Sequence, residues 1–183
     1  MKMKRLALLA LLVFAAPSLL LAQEKSSSNP VADALRQSLA RFSKNMTAAA
    51  ESMPADKYDY KPTPQQITYA HLIAHIATSN EFMCSKISGT PEPQHAKIAD
   101  TDGKDKLVAA VRASFEYCSS SLAKVDDSNL SEQLTLFGNR QFTKAAAMMI
   151  LSGDWFDHYS GQAMYLRLNG VLPPTAQAQK KPD

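Results

Sequence analysis

Asp154 and His158 lie one helical turn apart in the run TKAAAMMILSGDWFDHYSGQAMYLRLN, residues 143–169. Stepping by three and four along that run gives Ala147, Ile150, Leu151, Asp154, His158, Gly161, Tyr165 and Leu168, a helix face that is apolar except in its middle. A carboxylate removed from water needs a partner, and so does an imidazole. Two chemistries meet that need. Asp154 can hydrogen-bond to His158, or to His75 from another element, or the two can form half of a divalent-metal site completed from elsewhere. The chain offers a second histidine pair at the same spacing, His71 and His75, set in HLIAHIA. His75 falls in an apolar stripe with Leu72, Ile76, Ser79, Phe82 and Met83, whereas His71 is on its flank. Cys84 and Cys118 belong to different helices, with no CxxC spacing and no nearby cluster of cations, which favours a disulfide or two buried thiols over a reactive centre.

The elements that must position these groups are four amphipathic segments. Asn29-Pro30 is a helix-start signature, and Val31, Leu35, Leu39, Phe42 and Met46 recur at helical spacing towards Ser52. Three prolines and two tyrosines fill the connection PADKYDYKPTPQQ, which cannot be a regular helix. Thr68 caps a second helix that ends near Ser88 with Gly89 as its C-cap. The long connection PEPQHAKIADTDG permits the third helix, residues 104–125, to run parallel to the second, with His95 solvated along the way. Residues 130–141 read as a short extended pair or an irregular loop, after which Thr143 caps the fourth helix. The fold class is all-α, a four-helix bundle with a long crossover between helices two and three.

Residues 1–22 have the form of a secretory signal peptide: Lys2, Lys4 and Arg5 precede a run of apolar residues interrupted by Pro17. A linker, residues 23–29, follows, then the bundle over 30–172 and a polar tail over 173–183 that is expected to be disordered. The protein is therefore expected to be secreted or periplasmic, with no stable membrane anchor once the leader is removed. Three of the 20 basic residues are in that leader, so the remainder carries 17 basic against 17 acidic side chains. A neutral domain lacks the basic footprint of a nucleic-acid binder. The sequence leaves a homodimer open.

HLIAHIA followed by NEFMCSKISG in helix two, with DHYSGQAMYLRLNGVLPP at the end, resembles the DinB family (DinB/YfiT-like proteins), and more closely its exported bacterial branch, over residues 31–174. The resemblance implies a four-helix bundle that binds a divalent metal, zinc or nickel foremost and iron as a further choice. In the family one histidine on helix two and a His-x-x-x-His pair on helix four hold the metal. Carried onto this chain, these positions are His75, Asp154 and His158, so the first histidine of the pair is replaced by a carboxylate. Two imidazoles and one carboxylate are still an open-site ligand set. Tyr159-Ser160-Gly161-Gln162 is likewise slightly off the family pattern. If Asp154 does not bind, His71 and His75 form the reserve pair. The function implied is that of a metal-dependent hydrolase or transferase acting on a small molecule, with Glu81 and Tyr69 the nearest candidates for proton transfer. Export suits hydrolysis better than transfer to a cytosolic thiol. The alternative is a metal-free or non-catalytic helical binding domain that retains the fold.

Overall fold

Helical spacing of apolar residues, punctuated by caps, produces four long helices in the computed structural model, which describes residues 27–177. They are α1 (Pro30–Ser52), α2 (Tyr69–Ser88), α3 (Lys104–Leu122) and α4 (Lys144–Leu168). An antiparallel hairpin, β1 (Gln133–Leu136) and β2 (Arg140–Thr143), joins α3 to α4, so the extended pair is the reading that holds for residues 130–141. The leader, residues 1–22, is outside the described residues. No helix among the described residues is long and apolar enough to cross a membrane.

Local signals set most helix ends. The Thr68 hydroxyl accepts the His71 N–H at 3.0 Å and the Thr143 hydroxyl accepts that of Ala146 at 3.2 Å. Gly89 takes the left-handed conformation, φ +73°, that ends α2. The start of α1 differs from expectation, because Asn29 does not cap it with its side chain. Asp127, from the far end of α3, accepts the N–H groups of Val31 and Ala32, both at 2.9 Å, while Asn29 Oδ1 accepts the N–H of Asp127 at 3.1 Å. A carboxylate at a helix N-terminus also meets the positive end of its dipole. Of the tail, residues 173–177 are described and residues 178–183 lie outside the described residues. Pro174–Ala176 form a 3-10 turn, and Thr175 exchanges hydrogen bonds with the Tyr159 hydroxyl.

Around the bundle the helices neighbour one another in the order α1–α3–α2–α4. Asn80 meets Ser114, and Cys84 meets Cys118, so α2 and α3 run parallel as the long crossover allows. Ser38 meets Ser152 and Gln162 meets Met46, making α1 and α4 parallel as well. The core comprises Leu39, Phe42 and Met46 of α1, Ile73 and Ile76 of α2, Phe115 of α3, and Leu151 and Trp155 of α4. Tyr58 and Tyr69 close one end, donating to the carbonyls of Ala50 and Ala49 at 2.7 and 2.9 Å.

Two polar features tie α2 to its neighbours from within. The Trp155 indole N–H donates to Asn80 Oδ1 at 2.7 Å, and Asn80 Nδ2 donates to the Ser114 hydroxyl at 3.0 Å. One turn further on, Cys84 and Cys118 form a disulfide between α2 and α3. Closing a loop with a sequence separation of 34 is worth roughly 3–4 kcal/mol in the chain-entropy description. Replacing both cysteines with alanine should lower stability in urea by about that amount, and Asn80→Ala, which strands the buried indole N–H, by about 1–3 kcal/mol. Melts matching the parent's would show that neither feature holds α2 in place.

Candidate metal centre

The side chains of interest sit where α2 and α4 pass each other in opposite directions, but their orientation differs from the one their spacing predicts. Twelve of the α2 residues are buried, from Tyr69 through Ile87, and His75 points roughly 150° away from the centre of that face at ~100° per residue. It is an exposed residue. On α4 the buried face runs through Ala147, Met148, Leu151, Trp155, Gln162, Tyr165 and Leu166. His158 lies roughly 40° and Asp154 roughly 80° from its centre by the same rule, and both are half-buried. The expected core-facing stripes are therefore corrected by rotation of each helix, and the three groups line an outer groove. The cause is compositional. HLIAHIA is apolar nearly all round, and α4 leaves Met149, Phe156, Met164 and Leu168 exposed, so apolar spacing does not fix the phase of either helix.

The groove still brings the two helices' histidines together. The rings of His75 and His158 approach edge to face with centroids 4.9 Å apart. Two imidazoles bound to one ion at metal–nitrogen distances of about 2.0–2.1 Å would have ring centres roughly 4.5–5.2 Å apart for ordinary bond angles. In donor type and in spacing the pair fits a divalent cation. Asp154 supplies a third donor of suitable chemistry, yet no group of three or more His, Cys, Asp or Glu side chains converges tightly enough to hold an ion among the described residues. The two imidazoles adjoin, whereas Asp154 does not converge with them on a common point.

Electrostatics tie Asp154 to the pair. Partial desolvation of its ring lowers the His75 pKa, the neighbouring His158 lowers it further, and Asp154 pulls it back up. Burial raises the Asp154 carboxyl above its ordinary value against the opposing pull of His158 and His75, while Asp157 adds to the rise. A His75 held neutral keeps a lone pair for a Lewis acid.

The other expected participants lie elsewhere. His71 Nδ1 contacts Asp100 Oδ2 at 3.2 Å across a cavity of about 370 Å³, whose lining includes His75, Thr78 and Lys97. Tyr69 is fully buried, with burial raising its phenol far above the ordinary value, and it serves the core. Glu81 is buried on the crossover side of α2, where His95, expected in solvent, pairs with it at 2.9 Å. Trp155 fills the core, and Arg167 and Asn169 bond to carbonyls of the last turn of α4. Spacing did not reveal Asn80 or Gln162, both buried polar residues. Gln162 donates to the Met46 carbonyl at 3.1 Å and leaves its own Oε1 unpaired.

The chain belongs to the DinB superfamily, whose family model matches residues 38–160. Among solved structures it is similar to a DinB-like protein from Bacillus subtilis, with 20% identity over 80% of this chain and 99% of that one and a TM-score of 0.63. A DinB-like protein from Bacillus cereus is 15% identical over 78% of this chain and 95% of its own, with a TM-score of 0.65. The mycothiol-dependent maleylpyruvate isomerase is 14% identical over 70% of this chain and 59% of its own, with a TM-score of 0.58. At these identities the likeness is one of fold. No curated protein matches the chain.

Histidine titrations followed by NMR test the electrostatic coupling in the groove. His158→Ala should raise the His75 pKa and Asp154→Asn should lower it, because the first removes a neighbouring ring that opposes its charge and the second removes a carboxylate that favours it. A His75 titration that neither substitution moves would separate the three groups.

Proposed function

We propose that this member of the DinB superfamily is an exported protein that binds a divalent metal through His75, His158 and Asp154 and uses it in hydrolysis or group transfer on a small molecule. One observation carries the reading: two imidazoles from different helices meet at 4.9 Å in a groove open to solvent. Zinc or nickel suits the donor set best, and iron is a further choice. A divalent ion held there supplies Lewis acidity, which polarises a carbonyl or lowers the pKa of water. The chain's own contribution is to keep His75 neutral, to place a carboxylate one turn before His158, and to leave a cavity of about 370 Å³ beside His75 for a small molecule. Export is supported by the basic-then-apolar order of residues 1–22 and by the disulfide, a bond characteristic of oxidising compartments. We assign residues 30–172 to the folded unit. Thiol-dependent chemistry, of the kind for which the mycothiol-dependent isomerase is named, fits that compartment less well than hydrolysis.

A metal-free or non-catalytic helical binding domain is the second reading. The exposure of His75 and the lack of a converged third donor among the described residues favour it.

Metal content of protein isolated from its native compartment, together with zinc and nickel titrations, decides between them. The first reading expects one ion per chain, lost in His75→Ala and in His158→Ala. Asp154→Ala should weaken binding by at least about tenfold, since even the outer partners of metal ligands are worth roughly 10–100-fold. Full stoichiometry in His158→Ala would sink the first reading. N-terminal sequencing of the same material should begin at Gln23, and an intact Met1 would overturn the leader assignment.

A further inference from the structure

The crossover between α2 and α3 lies against α2, and its attachments have an unusual requirement. At its start the Tyr117 hydroxyl of α3 contacts the carbonyls of Thr90 and Pro91 at 2.9 and 3.1 Å. Near its end His71 of α2 contacts Asp100, and Ile98 packs on the core. Between these points the anchor is His95. Its Nε2 faces both Glu81 oxygens, at 2.9 and 3.0 Å, and its Nδ1 faces the Ala96 carbonyl at 2.8 Å. A carbonyl and an ionised carboxylate only accept hydrogen bonds, and a neutral imidazole has a single N–H to donate. Both contacts are satisfied together only when His95 is the imidazolium. Its partner is committed to the arrangement, because the Glu81 side chain is only 10% exposed whereas that of His95 is 38% exposed.

We infer that residues 91–100 form a proton-dependent strap: charged His95 holds it against α2, and loss of that proton to solvent loosens it and widens the cavity beside His75. Lys97, Ile98, Ala99 and Asp100 form the strap's wall of that cavity, opposite His71, Ala74, His75 and Thr78. Once His95 is neutral, one of its two contacts is lost and Glu81 is left with a weaker partner in a dry setting.

The sign agrees with the electrostatics. The Ala96 carbonyl first, and then the Glu81 hydrogen bond and charge, raise the His95 pKa above its ordinary value. The closed strap is therefore favoured below the ordinary histidine pKa and released as pH rises through the elevated one. Tyr117 of α3 and Glu92 of the strap itself also face this corner. Burial and the charges of Glu92 and Glu81 raise the Tyr117 phenol, so it keeps its proton throughout that range. His71 and Asp100 form the other titratable contact, and the test isolates them. That the cavity serves a reaction rests on the metal reading above, whereas movement of the strap does not.

The experiment uses the mature, disulfide-bonded chain without metal, with carbon-13 methyl groups observed in a soluble gadolinium chelate while the histidine rings are titrated. His95 should titrate above about 6.5. With the same midpoint, relaxation by the chelate at the Ala74 and Ile98 methyls, both shielded in the closed form, should increase roughly two- to fivefold, the range that a part-exposed ion pair supports. His95→Gln should hold both methyls at the accessible level at every pH, and His71→Gln should keep the transition at the His95 midpoint. Methyls that stay flat through the His95 titration, or a transition unchanged in His95→Gln, would overturn the strap. Neither result bears on whether His75 and His158 bind an ion.

Discussion

The rotational setting of α2 depends on one buried amide. Asn80 accepts from the Trp155 indole of α4 and donates to Ser114 of α3, so a single side chain fixes the angle of α2 against two neighbours at once. Apolar contacts are non-directional and would tolerate rotation of a helix as apolar as this one. A hydrogen bond between buried groups would not, because any other setting strands a donor in the interior. The disulfide one turn away locks the same interface covalently. Together they turn His75 outward, and the antiparallel passage of α4 then brings His158 beside it.

An outer groove changes the chemistry open to these residues. Enclosed in the core, a carboxylate and two imidazoles would have to neutralise one another to tolerate desolvation. At the groove the desolvation is partial. It is enough to hold His75 below and Asp154 above their ordinary pKa values, while solvent can still reach the site. Water can therefore reach these groups, as an open coordination position would require. Asp154 in place of the family's histidine adds negative charge where a divalent cation would gather it.

The helices that form the groove are not its only boundary. Residues 91–100 pass along the opposite side of His75, held by contacts from α2 and α3 instead of by regular secondary structure. Segments of this kind are the least stable parts of a domain, and those that move are drawn from them. The fold thus sets a rigid pair of histidines beside a boundary whose attachment depends on a proton.

Local signals in the chain encode the elements. Spacing, Thr68, Thr143 and Gly89 marked the helices, and the length of the crossover permitted α3 to run parallel to α2. DHYSGQAMYLRLNG and HLIAHIA carried the family and the identity of the candidate ligands. How those elements are turned depends on the contacts between them. In HLIAHIA and in α4 apolar residues surround the helix, so periodicity carries no phase, and the true buried faces lie further from the histidines than the apolar spacing implies. The partners of Asn80, the capping of α1 by Asp127 and the pairing of His95 with Glu81 were equally invisible. Each is a contact between residues distant in the chain, whose geometry no local pattern encodes.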